Sequence, residues 1–288
     1  MARFFAAFIA ALLLCASAHA TLVALVPSKD GLVVAADSRI TFLGAECDGA
    51  FKIIEPARPM RTVAIVTGDT IFVDPPPAGA VHLCRYLDSA PRRLNIDTLV
   101  RAYLERSPDD PEQLDFSGLS AACVRQVERF RRAYPQALRR FTGKDIFSVV
   151  VASYDPASQT SFLRNFVVRI DAPTRRVRAA RFTRTAVSPH SSSGVWIYGE
   201  TSYVDRYVYA GFGRRFLSPA TLAFLRTPIP VGETALDQAA AVAANIVQAA
   251  GLASQTIPAP SGIGGRIQVV LLGANPQPES VPWAASYH

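Results

Sequence analysis

The 288-residue sequence predicts an α+β fold, a sandwich of sheets flanked by helices. Three observations lead to it. β-Branched runs that are apolar almost throughout open the chain after residue 20, and more strands follow in its second half. Between and after them, residues 79–142 and 235–251 carry apolar side chains at helical spacing. The resulting order of strands, helices, strands, helices and a last strand is that of an α+β sandwich. Half of the residues are hydrophobic and 18% are charged, which excludes a disordered chain.

In chain order, residues 1–20 read MARFFAAFIAALLLCASAHA. Arg3 supplies the charged start, Phe4 to Leu14 the apolar run, and Ala18-His19-Ala20 the small-x-small pattern of an export leader cut after Ala20. The apolar run is short of the roughly 20 residues that span a bilayer. An uncleaved signal anchor is the competing reading, and Leu14 argues against lipidation at Cys15. No later stretch is long and apolar enough for a membrane helix. Residues 21–288 are therefore expected to form a single secreted or periplasmic domain, off the membrane once the leader is removed.

TLVALV and GLVVAADS read as strands joined by a hairpin turn at PSKDG. Being apolar at nearly every position, they belong in a sheet covered on both faces. ITFLGAECDGAFKII makes a loop and a short strand, and RTVAIVTG a strand ending at Gly68. After Pro75-Pro76-Pro77 the helical region at about 79–142 begins. Strands resume in DIFSVVVASYD, SFLRNFVVRID, RVRAARFT and GVWIYGE. Residues 203–226 are loosely helical, and TALDQAAAVAANIVQAAG is strongly so, with Gly251 as its expected stop. SGIGGRIQVVLLG is the last strand, followed by a Pro-rich tail.

The formal net charge is +7, or +6 without Arg3. Lysine occurs only at 29, 52 and 144, so 27 of the 30 basic residues are arginine. They are scattered, and neither RNP-like nor zinc-finger patterns occur, so nucleic acid is not expected as a partner. Beyond the leader the cysteines are Cys47, Cys84 and Cys123, an odd number that allows one disulfide and one free thiol. Cys84 with Cys123 is the expected pair, because both fall in helical stretches of one region. His82, His190 and His288 lack metal-ligand spacing, and neither a metal nor a cofactor is implied.

TLVALVPSKDGLVVAADSRIT resembles the amino terminus of proteasome β-type subunits and their relatives among the N-terminal nucleophile hydrolases. In that family a mature N-terminal Thr begins a strand, and a [VA]-[AG]-A-D-S-R-[AI]-T run follows about sixteen residues later. Thr21 with Asp37, Ser38, Arg39 and Thr41 keeps that distance here. Lys52-Ile53 matches the family's Lys after a one-residue shift, Thr67-Gly68 its small-Gly strand end, and Gly264-Gly265 its Gly-Gly strand. The close match covers residues 21–70, about a sixth of the chain. The resemblance implies a four-layer αββα sandwich and a threonine-type peptidase or amidase acting on a peptide or other amide. It leaves homo-oligomerisation open. Where the family has a Ser after a strand, and an Asp and a Ser before the Gly-Gly pair, this chain has Glu200, Pro260 and Ile263. Glu200 or Ser261 is the expected substitute, binding the N-terminal ammonium or a water.

The residue chemistry agrees. A Thr hydroxyl is a weak nucleophile that needs a base. On an N-terminal Thr the α-amine, with a reference pKa of about 7.7–8.0, is that base, so cutting after Ala20 would switch Thr21 on. Lys52 would favour the unprotonated amine and stabilise developing negative charge, with Asp37 pairing and orienting it. A backbone N–H at Gly68 would face the oxyanion. Ser38 and Arg39 are read as loop supports, and Thr41 as lining the substrate cleft. The opposing reading is a non-catalytic exported binding or structural module that keeps the fold.

Overall fold

The computed structural model describes residues 16–19, 21–74, 76–77, 80–90, 92–108, 110, 113–227, 229–256 and 262–286. Its elements are β1 (Ala16–His19), β2 (Leu22–Ser28), β3 (Gly31–Asp37), β4 (Ile40–Phe42), β5 (Ala45–Cys47), β6 (Ile53–Ile54), β7 (Thr62–Gly68) and β8 (Ile71–Val73). Next come α1 (Leu83–Ser89), β9 (Arg92–Asn95), α2 (Ile96–Leu104), α3 (Phe116–Ala133), β10 (Asp145–Asp155), β11 (Thr160–Ile170), β12 (Val177–Val187) and β13 (Trp196–Gly199). Short helical turns fill 201–216 and lead into α4 (Pro219–Arg226), α5 (Leu236–Thr256), β14 (Arg266–Leu272) and β15 (Glu279–Ser286).

The strands form three sheets, ordered β5-β4-β1-β8-β9, β12-β11-β10-β7-β6 and β13-β2-β3-β14-β15, and neighbouring strands pair antiparallel. The fold is α+β, as the sequence indicates. The apolar runs of β2 and β3 explain themselves: every residue in both is buried. Successive side chains on a strand point to opposite faces. Leu22, Ala24 and Val26 pack with Ala243, Val247 and Ala250 of α5, whereas Val23 and Leu25 pack with Ile65 of β7 and Val150 of β10. The other face of that second sheet, with Val66, Val149 and Val151, packs against Val100 of α2 and Val127 of α3. Each such Val or Leu contributes about 1.5–3 kcal/mol on burial, and a substitution to Asp at any of them would strand a charge.

The helices start where the sequence supplies acceptors. The Asn95 side chain accepts from the Thr98 N–H at 3.2 Å to cap α2, and Asp115 accepts from the Gly118 N–H at 2.8 Å to cap α3. Three expectations are corrected. Gly251 does not stop α5, which runs on to Thr256, because Ala249, Ala250, Gly251 and Ala253 form a small buried face against the sheet. The region 79–142 is interrupted by a strand, β9, whose Asn95, Leu94 and Arg92 pair with β8. The disulfide joins Cys47 to Cys84, and among the described residues Cys123 is the free, buried thiol. Cys123 points into the core beneath α3 with Leu119 and Val127, while Cys84 on α1 sits over β5. The Pro-rich tail contributes an edge strand, β15, paired to β14.

Candidate active site

Asp37 ends β3 with its carboxylate wholly buried. Its Oδ1 accepts from the Leu22 N–H at 2.8 Å and from Lys52 Nζ at 2.7 Å. Its Oδ2 accepts from the Gly264 N–H at 3.2 Å and the Arg39 N–H at 3.3 Å. One side chain thus ties together the residue after Thr21, the lysine and the glycine pair before β14. Burial pushes the Asp37 carboxyl above the ordinary carboxylate range, against the pull of Lys52 and the backbone donors. Burial likewise pushes the Lys52 ammonium below its ordinary range, opposed by Asp37. Each ion is tolerable there because the other is present.

Thr21 is held on its carboxyl side as well. Its carbonyl accepts from the Glu200 N–H at 3.1 Å, at the end of β13. Gly199, with φ +90°, makes this approach possible, since a side chain there would collide with the Thr21 carbonyl. Thr21 and Gly68 both border two cavities. A small one, of about 30 Å³, is also lined by Ile40, Lys52, Val66 and Ile71. A larger one, of about 470 Å³, is also lined by Asp69, Asp145, Ser148, Tyr198 and Glu200. Gly68 adopts φ +97°, and a Cβ there would lie 2.6 Å from the Ile146 carbonyl oxygen. That closeness requires glycine whatever its N–H does.

Ser38 and Arg39 bolt the loop after β3 to the glycine pair. The Ser38 Oγ accepts from the Arg266 N–H at 2.7 Å and the Gly49 N–H at 3.3 Å. Arg39 forms ion pairs with Asp48 at 2.7 Å and Glu46 at 2.5 Å. Gly264 and Gly265 lie against Arg39 and Ser38, and a Cβ on Gly265 would come 2.6 Å from the Ser38 Oγ. Thr41 lies in β4, opposite His19 of β1. Thr21, Lys52, Gly68 and Glu200 therefore share cavity walls, Asp37 stands behind Lys52, and Ser38 and Arg39 stand behind Asp37. Ser261, Pro260, Ala20 and residues 1–15 of the leader lie outside the described residues.

Sequence reasoning missed Gln268. Its Oε1 accepts from the Lys52 N–H at 3.0 Å, and its Nε2 donates to the Ala50 carbonyl at 2.6 Å, clamping the lysine-bearing segment to β14. The signal was present: a glutamine inside RIQVVLL is a polar group in a strand otherwise built for burial. The sequence reading also missed that Ala16–His19 forms a strand between β4 and β8.

Neither a family model nor a curated protein matches the chain. Solved structures do. They include the Gly-1 mutant of Anbu from Hyphomicrobium sp. strain MC1, 12% identical over 93% of this chain and 89% of that one, with a TM-score of 0.45. They also include Anbu from Yersinia bercovieri, described as an ancestral beta-subunit, 15% identical over 92% and 88% with a TM-score of 0.42. A second Hyphomicrobium Anbu structure is 13% identical over 92% and 88%, with a TM-score of 0.41. These findings correct the family expectation: the similar structures are Anbu proteins, and the assignment to proteasome β-type subunits is withdrawn.

Proposed function

We propose that this chain is an exported hydrolase that cuts an amide bond with Thr21 as nucleophile, once Thr21 begins the chain. The observation that carries the reading is one cavity wall shared by Thr21, Lys52 and Gly68, with Asp37 buried behind the lysine. The Thr21 hydroxyl attacks the substrate carbonyl and passes its proton to the α-amine, directly or through a water. The Lys52 ammonium holds down the proton affinity of the amine, and the Gly68 N–H faces the oxyanion. Collapse expels the amine leaving group with that proton and leaves an ester on Thr21. Water, activated by the same amine, hydrolyses it. Glu200, on the wall beside Thr21, supports the N-terminal ammonium or a water.

A peptide is the favoured substrate. Ala16–His19 already occupies a slot between β4 and β8 directly before Thr21, so the groove accepts an extended chain by backbone pairing. The stacking of α5, two sheets, and α2 with α3 supports a four-layer αββα sandwich as the frame of one domain, residues 21–288. The Cys47–Cys84 disulfide supports export to an oxidising compartment. The test is the protein secreted with its own leader: terminal sequencing should give Thr21 as first residue, and a serine/threonine-acylating probe should label it. Equal labelling of the Thr21→Ala protein would end the reading in favour of a non-catalytic module.

A further inference from the structure

The arginines are scattered along the chain, yet the fold gathers two groups of them. Residues 125–144 hold seven basic side chains against one acidic, and residues 169–184 hold six against one. The two groups meet at a cavity of about 460 Å³ between the end of α3, the helical turn Arg139–Phe141 and the turn that follows β11. Arg131, Arg139 and Arg175 line it. Among the described residues, no acidic one lines it and none is shared with the cavities at Thr21.

The carboxylates nearest in sequence are already engaged. Glu128 accepts from Arg131 Nε at 2.9 Å and from Arg131 Nη2 at 2.5 Å, one on each oxygen, so a single guanidinium fork fills it. Asp171 accepts from Arg178 Nη2 at 2.9 Å and from the Thr174 hydroxyl at 3.2 Å. Arg139 and Arg175 are exposed, and neither side chain makes an ion pair among the described residues. Arg175 stands at φ +52°, a conformation that glycine or asparagine adopts at lower cost, so the turn itself gives no reason for an arginine. Two unpaired forks on one cavity wall suit an anion with more than two oxygens. One fork satisfies a carboxylate, as at Glu128, whereas a phosphate monoester offers three terminal oxygens. Leu138 and Ile170, both buried, give the cavity an apolar wall for the group that carries the phosphate. Its volume lies within the roughly 300–1,000 Å³ of small-molecule sites.

We propose that this cavity binds a phosphate monoester through the Arg139 and Arg175 guanidinium groups, independently of any chemistry at Thr21. The phosphate belongs to a soluble small molecule or to a lipid headgroup, and two probes separate these sources. One is glycerol 3-phosphate, read by titration calorimetry. The other is a phosphatidylcholine vesicle with or without phosphatidic acid, read by flotation. The protein is purified from cells that express the full sequence. Glycerol 3-phosphate should bind, or vesicles with phosphatidic acid should float the protein where plain phosphatidylcholine does not. Either affinity should fall about tenfold in Arg139→Ala and again in Arg175→Ala, the lower end for a hydrogen bond between charged groups. Arg139→Lys should lose affinity as well, because an ammonium keeps the charge but not the fork. Arg129→Ala removes an equal charge from an exposed position of α3 that does not line the cavity, and should leave binding unchanged. Urea unfolding checks that each variant is folded. Binding of neither probe would overturn the site. So would binding that survives Arg139→Ala and Arg175→Ala, is unaffected by Arg139→Lys, or falls as far in Arg129→Ala, since each would mean attraction to basic surface at large.

Discussion

Asp37→Asn is the perturbation whose cost can be worked out from the structure. The side chain keeps its shape, but the charge facing Lys52 Nζ at 2.7 Å disappears. If the amide oxygen stays toward Leu22 and Lys52, the amide NH2 turns toward the Gly264 and Arg39 N–H groups, donor against donor. Lys52, almost wholly buried, then has two courses. It can remain charged without a partner, a loss of about 3–5 kcal/mol. It can also give up its proton. From a reference pKa of about 10.4, neutralising it at pH 7 costs about 3.4 pKa units at 1.36 kcal/mol each, or about 4.6 kcal/mol. The two routes agree on roughly 4 kcal/mol, a large share of the 5–15 kcal/mol that a typical domain possesses. Their pH dependence tells them apart. In the variant Lys52 binds its proton less tightly folded than unfolded, so the unfolded state carries more protons and stability rises with pH up to the unfolded pKa. The penalty should fall by about 1.4 kcal/mol per pH unit from pH 7 to 9. Urea unfolding of parent, Asp37→Asn and Asp37→Asn/Lys52→Met at both pH values measures it, and the double variant should lose the pH dependence. A penalty under about 1 kcal/mol at pH 7 would refute the buried ion pair as the organiser of the site.

Three further outcomes are expected. Gly199→Ala should abolish any Thr21-dependent activity, because the new methyl collides with the Thr21 carbonyl at φ +90°; an unchanged rate of Thr21 acylation would contradict the geometry. Reducing Cys47–Cys84, or Cys84→Ser, should destabilise the protein by about 4 kcal/mol from the chain entropy of a loop with a sequence separation of 37, measured by urea unfolding with and without reductant. Cys123, its thiol pushed up to about 12 by burial, holds only about one thiolate in ten thousand at pH 8. Iodoacetamide should therefore add no mass to the native protein beginning at Thr21, which lacks Cys15, and one adduct after unfolding, the disulfide being kept intact.

Which parts of the site could be read in advance follows from how local each signal is. Thr21, Asp37, Ser38 and Arg39 lie within one hairpin and the loop after it, so their spacing along the chain nearly fixes their spacing in space. The strand pattern of β2 and β3 was legible for the same reason: burial on both faces leaves an unbroken apolar run. The Cys47–Cys84 link and the Gln268 clamp depend on contacts 37 and 216 residues apart, which no local pattern encodes. The misplaced end of α5 has a different cause. A glycine near a helix end is normally a stop, but Gly251 lies among Ala249, Ala250 and Ala253 on the face against the sheet, where tertiary burial outweighs local propensity. The cavities flanking Thr21 were invisible, since their walls come from β4, β7, β8, β10, β11 and β13 together.

The hydrogen bonds around Thr21 also bear on what leader removal would do. The peptide unit joining residues 21 and 22 is held at both ends: the Leu22 N–H by Asp37 and the Thr21 carbonyl by the Glu200 N–H. That fixes the plane of the unit and the position of the Thr21 Cα without using anything that precedes residue 21. Cutting before Thr21 therefore creates an amine on an atom already in place, and its new charge appears beside a lysine that disfavours it. Lys52 lowers the proton affinity of that amine and the Glu200 carboxylate raises it, so the amine should titrate lower with Lys52 in place than without it. Reductive methylation as a function of pH, followed by the mass of the N-terminal peptide, measures this directly. Lys52→Met should raise the value, and an amine that titrates alike with and without Lys52 would mean that the lysine does not act on it.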